Sequence, residues 1–176
     1  ENGFERRDAD WQVTWRDEVF PADGVLRFND AAVDDRGRFF AGTLAYDEPT
    51  GLGALYRLDP DLSLHKLDQG IVVSNGPCWS PDGKIFYFAD SWSGEIWAYD
   101  YDLETGGVAN RRTFVKIDTP GGGAADGSTV DAGGDIELAT EEQADVSALG
   151  IGVAASLARG TGSTGAAAGA GSAAEN

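Results

Sequence analysis

A turn that returns at a fixed interval constrains this chain most. Val33-Asp34-Asp35-Arg36-Gly37-Arg38-Phe39-Phe40-Ala41-Gly42 aligns with Trp79-Ser80-Pro81-Asp82-Gly83-Lys84-Ile85-Phe86-Tyr87-Phe88-Ala89-Asp90. Val130-Asp131-Ala132-Gly133-Gly134-Asp135-Ile136 is a weaker third copy. Gly37 and Gly83 lie about 46 residues apart, and Gly83 and Gly134 about 51. After the first two copies a further strand pattern follows, Leu55-Tyr56-Arg57-Leu58-Asp59 and Ile96-Trp97-Ala98-Tyr99-Asp100. Lys84–Ala89 and Leu62–Leu67 also read as strands, and no long amphipathic helix precedes residue 140. Short strands separated by Asp-Gly turns give an all-β fold. A unit of this length with about four strands is a β-propeller blade, so about three blades are expected.

The same alignment brings three polar residues into one register. Eight positions before the three turn glycines stand Asn29, Asn75 and Asp126. Each is followed by Asp or Gly. Equivalent positions on the innermost strands of a propeller surround its central channel, so these side chains are expected to converge there. Asn and Asp oxygens suit a hard divalent cation, Ca²⁺, Mg²⁺ or Mn²⁺, and a carboxylate also binds Zn²⁺. Asn-Gly and Asp-Gly also form turns with no ligand in view. Three in register favour a site.

Charge narrows the partners. The 176 residues hold 30 acids against 13 bases, a formal net charge of −17. Such a surface repels phosphate backbones and anionic membrane faces, so neither nucleic acid nor membrane is an expected partner. Only Lys66, Lys84 and Lys116 are lysines. Dense carboxylate with few lysines suits high salt, where screening removes self-repulsion. No run approaches the length of a membrane span, and residues 1–7 lack a signal-peptide pattern, so a cytoplasmic location is expected. Cys78 is the single cysteine and excludes an intrachain disulfide.

Composition changes near residue 140. Residues 1–139 are rich in aromatics, Val and Asp-Gly turns, whereas 140–176 are Ala, Gly, Ser and Thr. The first part is expected to be the propeller region. The second is expected to be a flexible tail or the product of a shifted reading frame. Ala, Glu and Leu allow a short helix over Glu141–Leu157, against which Gly150 and Gly152 weigh. His65, the single histidine, is expected to face solvent, and Cys78 to fill space beside Trp79. Gly121-Gly122-Gly123 lacks the Lys-Ser/Thr of a phosphate loop and reads as an approach to Asp126. Trp92 and Trp97 are expected to pack within blades.

Several segments together carry a resemblance. They are Arg27-Phe28-Asn29-Asp30, Gly42-Thr43, Gly53-Ala54-Leu55-Tyr56-Arg57 and Ser74-Asn75-Gly76-Pro77-Cys78-Trp79-Ser80-Pro81-Asp82-Gly83. Tyr99-Asp100-Tyr101-Asp102, Thr105-Gly106, Asn110-Arg111-Arg112 and Asp126-Gly127-Ser128-Thr129-Val130-Asp131 complete the set. The chain from about Asn2 to Leu138 resembles the SMP-30/gluconolactonase/luciferin-regenerating-enzyme family. That resemblance implies a six-bladed propeller with one divalent metal in its channel, Ca, Zn, Mg or Mn, and hydrolysis of a sugar lactone. It implies Asn29, Asn75 and Asp126 as metal ligands, Asp126 as the catalytic base, and Arg27, Asn29 and Asp47 (or Glu48 beside it) as substrate contacts. A non-catalytic calcium-binding protein would use the same ligands. The family's first blade, with a further ligand Glu, has no match here: Glu1 and Glu5 lie outside its motif. The family's Trp strand after Asp131 also has no match, Glu137-Leu138 standing in its place. An inactive, truncated chain is therefore a further expectation.

Overall fold

Alternation of apolar and polar residues between Gly-containing turns builds two complete four-stranded sheets. The structure is a computed structural model that describes residues 2–47, 51–117, 124–130, 136–141 and 153–155, with side chains described through Ile117. A hairpin comes first, β1 (Gly3–Arg7) against β2 (Val13–Glu18). The first sheet is an antiparallel meander of β3 (Leu26–Val33), β4 (Phe39–Ala45), β5 (Gly53–Leu58) and β6 (Leu64–Ile71). The second repeats it with β7 (Ser74–Trp79), β8 (Ile85–Asp90), β9 (Glu95–Asp102) and β10 (Gly107–Lys116). A third sheet joins β11 (Ala124–Val130) antiparallel to β12 (Ile136–Glu141), with β13 (Val153–Ala155) parallel to β12.

The first strand of each sheet faces a common side. β7 lies against β3 on one flank and β11 on the other. The remaining strands step outward in sequence order, which is the blade arrangement expected from the repeat. Each repeat turn closes on its glycine, Gly37 at φ 77° and Gly83 at φ 66°, in the left-handed region that side chains resist.

The core sits between blades. Along β8 the period of two sends Phe86 and Phe88 to one face and Tyr87 and Ala89 to the other. Phe86 and Phe88 meet Phe40, Leu55 and Ile71 of the first blade, together with Trp97, Tyr99 and Tyr101 of their own sheet. Phe40 lies 5.4 Å from Phe86 and 5.1 Å from Trp79, ring centre to ring centre. The opposite face of the second blade buries Ile96, Ala98, Val115 and Ile117, with Cys78 partly buried among them. Phe4 and Phe20 cover Phe28 on the outer face of the first blade, at 4.8 and 5.3 Å.

Two expectations need adjustment. Trp97 is buried, as expected, but Trp92 is 54% exposed. It stands in the turn beyond β8, outside the strand. In the segment weighed as a helix, Glu141 closes β12 and Val153–Ala155 form β13, while 142–152 and 156–157 lie outside the described residues. Glu137-Leu138 lie in β12, so a strand occupies this position without the family's Trp. Gly121-Gly122-Gly123 and most of the tail lie outside the described residues.

Candidate metal and substrate site

The innermost strands break register at or directly after the positions that the repeat singles out. β3 and β4 pair as far as Phe28↔Thr43 and resume at Ala31↔Ala41, so Asn29 and Asp30 form a bulge. β7 and β8 pair at Asn75↔Ala89 and resume at Cys78↔Tyr87. β11 and β12 shift between Ala125 and Gly127, which leaves Asp126 in the break. A bulge turns a side chain out of the pleat and is a common device for re-aiming residues beside a site. The irregularity recurs on β3, β7 and β11, with Asn29 and Asp126 inside it and Asn75 at its edge.

Two of the three side chains meet. Asn29 Nδ2 donates to Asn75 Oδ1 at 3.0 Å and to the Ser74 carbonyl at 2.8 Å, which ties the inner strands of two blades together. Asn75 Nδ2 donates to Ser91 Oγ at 2.8 Å. Arg27 Nη1 donates to Asn29 Oδ1 at 2.9 Å. These partners set the orientation of each amide. Both amide nitrogens are spent on protein acceptors, so the oxygens are what the pair can offer a ligand. Each oxygen has two lone pairs and one described donor. Asn75 is buried, while Asn29 is exposed and Arg27 intermediate.

Neighbouring residues hold this geometry. Asp30 Oδ2 accepts from the Gly76 amide and Oδ1 from the Ala31 amide, both at 2.8 Å, clamping the β3 bulge to the β7 bulge. Asp90 is 1% exposed and its carboxylate accepts from the Val72 and Val73 amides at 3.1 and 3.0 Å. That fixes the chain where it enters β7, one residue ahead of Ser74. Sequence reasoning missed Asp30, Asp90 and Ser91. Asp30 had a readable signal, since it follows the registered Asn29, whereas Asp90 and Ser91 act through a fold that only the structure shows.

The remaining expected residues are less connected. Asp47 is exposed in the turn after β4 and makes none of the hydrogen bonds that join Arg27, Asn29 and Asn75. Glu48 lies outside the described residues. Asp126 has its backbone placed on β11 beside β7, but its side chain lies outside the described residues. His65 is exposed, as expected, with Nε2 3.2 Å from Asp59 Oδ2 on an outer strand. Among the described residues no three His, Cys, Asp or Glu side chains group as metal ligands. The described oxygens of this site come from amides.

Comparison with known proteins decides the lineage. Residues 4–149 match the SMP-30/Gluconolactonase/LRE-like region. The chain belongs to the SMP-30/gluconolactonase/LRE family. It is 43% identical over 115 residues to regucalcin of Danio rerio and 43% identical over 118 residues to regucalcin of Homo sapiens. Each alignment covers 64% of this chain and 39% of the relative, so the chain spans about two fifths of the curated relatives' length. Among solved structures it resembles a calcium-binding protein, regucalcin, from Agrobacterium tumefaciens, with TM-score 0.69 and 30% identity. That likeness covers 77% of this chain and 46% of the other. It also resembles a gluconolactonase from Xanthomonas campestris, with TM-score 0.55 and 26% identity, covering 77% and 48%. These likenesses agree with the family's propeller architecture seen in the two complete blades.

Proposed function

We propose that the protein carrying these blades is a divalent-metal-dependent hydrolase of sugar lactones. The observation that carries the reading is the Asn29–Asn75 amide pair, held across two blades with both nitrogens spent and both oxygens able to accept. Neutral amide oxygens with one carboxylate suit a hard cation such as Ca²⁺. The residues therefore fit one divalent ion, with Asn75 and Asp126 as its main holders and Asn29 beside them.

The two amides are not equivalent. Asn29 Oδ1 already accepts from the cationic Arg27, and a second cation on the same oxygen would meet repulsion. Asn75 Oδ1 accepts only from the neutral amide of Asn29 among its described contacts. Asn75 is thus the stronger ligand position. Asn29 and Arg27 together suit a substrate hydroxyl, one accepting and the other donating.

A bound cation would supply Lewis acidity toward the lactone carbonyl. Asp126 would take a proton from the attacking water as its oxygen bonds to the carbonyl carbon. The ring C–O bond then breaks, and the same proton passes to the alkoxide, giving an open-chain hydroxy acid. Arg27 and Asn29 would orient the ring through its hydroxyls, with Asp47 at the rim as a further acceptor. Assay of glucono-1,5-lactone hydrolysis with metal titration tests this. Hydrolysis that rises with added Ca²⁺, Zn²⁺, Mg²⁺ or Mn²⁺ and falls by about 10²–10⁴ in Asp126→Asn supports it. Metal binding without hydrolysis, in the 176-residue chain and in a longer protein containing it, would favour the calcium-binding reading. That alternative finds support in the regucalcin relatives.

A further inference from the structure

Four hydrogen bonds at the inner strands run in one direction. Arg27 carries donors only, so the oxygen of Asn29 is the atom that faces its Nη1, at 2.9 Å. That turns Asn29 Nδ2 toward the Ser74 carbonyl and Asn75 Oδ1, at 2.8 and 3.0 Å. A carbonyl can only accept, so the Ser74 contact requires the same sense. Asn75 in turn presents Nδ2 to Ser91 Oγ at 2.8 Å. The chain of donors starts at Arg27 and ends on Ser91.

Ser91 is fixed by the fold. It is 5% exposed, and its amide donates to the Val73 carbonyl at 2.9 Å. The Val73 amide donates to Asp90 Oδ1 at 3.0 Å, so Val73 is gripped on both sides by the end of β8. These bonds set the Ser91 hydroxyl against the strand that carries Asn75. The sequence repeat aligns Ser91 with Ala45, which has no hydroxyl. The acceptor therefore belongs to the second blade, whose asparagine is the stronger ligand position.

Asn75 is buried, and a buried amide N–H without an acceptor is costly. If the Asn75 amide turned over, Nδ2 would leave Ser91 and face Asn29 Nδ2, donor against donor. Held as it is, Oδ1 takes the Asn29 proton on one lone pair and keeps the other for a ligand. We infer that Ser91 is a positioning residue of the metal site, fixing the Asn75 amide so that Oδ1 is presented to the cation. This role rests on the metal-site reading above. Removing an outer partner that orients a metal ligand typically costs about 10–100-fold in affinity.

Calorimetric titration of the full chain with Ca²⁺, joined to NMR measurement of side-chain amide hydrogen exchange, tests the role. Ser91→Ala should weaken Ca²⁺ binding by about tenfold, with circular dichroism unchanged. Ser93→Ala, which loses a bond to the Asp90 carbonyl in the same turn, should bind as the parent does. The Nδ2 protons of Asn75 should exchange more slowly in the parent than those of free asparagine, and Ser91→Ala should speed that exchange. Equal Ca²⁺ affinity in the parent and Ser91→Ala, with Asn75→Ala weakened, overturns the role of Ser91 alone. Weaker binding in Ser91→Ala with Asn75 exchange unchanged also overturns it, because the loss would not run through the amide. So does an Asn75 amide that exchanges freely in the parent, whatever the variants do. A parent that binds no Ca²⁺, or binds it no better than Asn75→Ala, overturns the metal-site reading and the role of Ser91 with it.

Discussion

The turns Asp34–Arg38 and Ser80–Lys84 are copies in sequence that do different work. In the second blade, Ser80 Oγ accepts from the Lys84 and Ile85 amides at 3.2 and 3.0 Å, and Lys84 is 77% exposed. The described side-chain bonds of this turn are all local. In the first blade, Asp34 Oδ1 accepts from the Arg36 and Arg38 amides at 2.9 and 2.8 Å, closing the turn in the same way. Its other oxygen accepts from Arg38 Nε at 2.6 Å and from Tyr101 Oη of the next blade. Arg38 also donates to the Leu103 and Glu104 carbonyls. Gly106 sits so close that a Cβ there would lie 2.8 Å from the guanidinium. One replacement at each end of a copied turn has made a local closure into a bolt between blades. The bolt holds the first and second blades together at the end of the sheets away from the amide pair.

The largest expected difference between the copies is therefore in stability. Asp34→Ala leaves a buried guanidinium without its carboxylate and should cost about 3–5 kcal/mol. Ser80→Ala removes local turn bonds and should cost about 1 kcal/mol. Urea unfolding of both variants measures the gap. Equal losses would show that the Asp34–Arg38 pair does no more than close its turn.

Acid should remove the difference. Burial opposes the charge on Asp34, but hydrogen bonds from Tyr101, the Arg38 backbone and guanidinium and the Arg36 backbone outweigh it and hold its carboxyl below the ordinary 3.8. A folded-state value below the unfolded one means stabilisation that is complete above about pH 4 and lost as pH falls through the folded value. The gap between the parent and Asp34→Asn should be constant near neutral pH and narrow below 3.8. Tyr101 remains a donor throughout, because burial and then Asp34 raise its phenol above the usual range.

Much of this was legible in the sequence, but unevenly. The strands Ile85–Asp90 and Glu95–Asp102 follow from β-branched and aromatic runs between Gly turns. The Asn29–Asn75 meeting follows from register alone, because equivalent residues of neighbouring blades share one environment. The bolt was not legible: Asp34 and Arg38 read as ordinary turn residues until Tyr101 and Leu103 of another blade are placed beside them. Exposure of Trp92 was hidden for a related reason, since a Trp within a strand-rich segment looks like core until the strand is seen to end at Asp90.

Salt gives a smaller contrast. The Arg36–Glu104 pair crosses the same two blades but is 52% and 77% exposed, so it should contribute at most about 1 kcal/mol and less in molar salt. The Asp34 contribution, taken as parent minus Asp34→Ala, should change by less than about 0.5 kcal/mol under the same conditions, being shielded from ions. Over the whole chain, with its charge of −17, molar salt should increase the β-signal in circular dichroism by screening self-repulsion. An unchanged signal would remove the inference that the surface is adapted to salt.

Calcium affinity, measured by titration calorimetry on the parent, Asn75→Ala, Asp126→Asn and Ser80→Ala, tests most directly whether the inner register is a ligand site and the outer turns are structural. Asn75 and Asp126 sit on innermost strands beside register breaks, whereas Ser80 belongs to the copied turn at the far end of β7. Losing a charged or neutral oxygen ligand should weaken Ca²⁺ binding by at least about tenfold in Asn75→Ala, and by more in Asp126→Asn. Ser80→Ala should bind as the parent does. If Asn75→Ala and Asp126→Asn both kept the parent's affinity, the three registered positions would be a repeat of turns and nothing more.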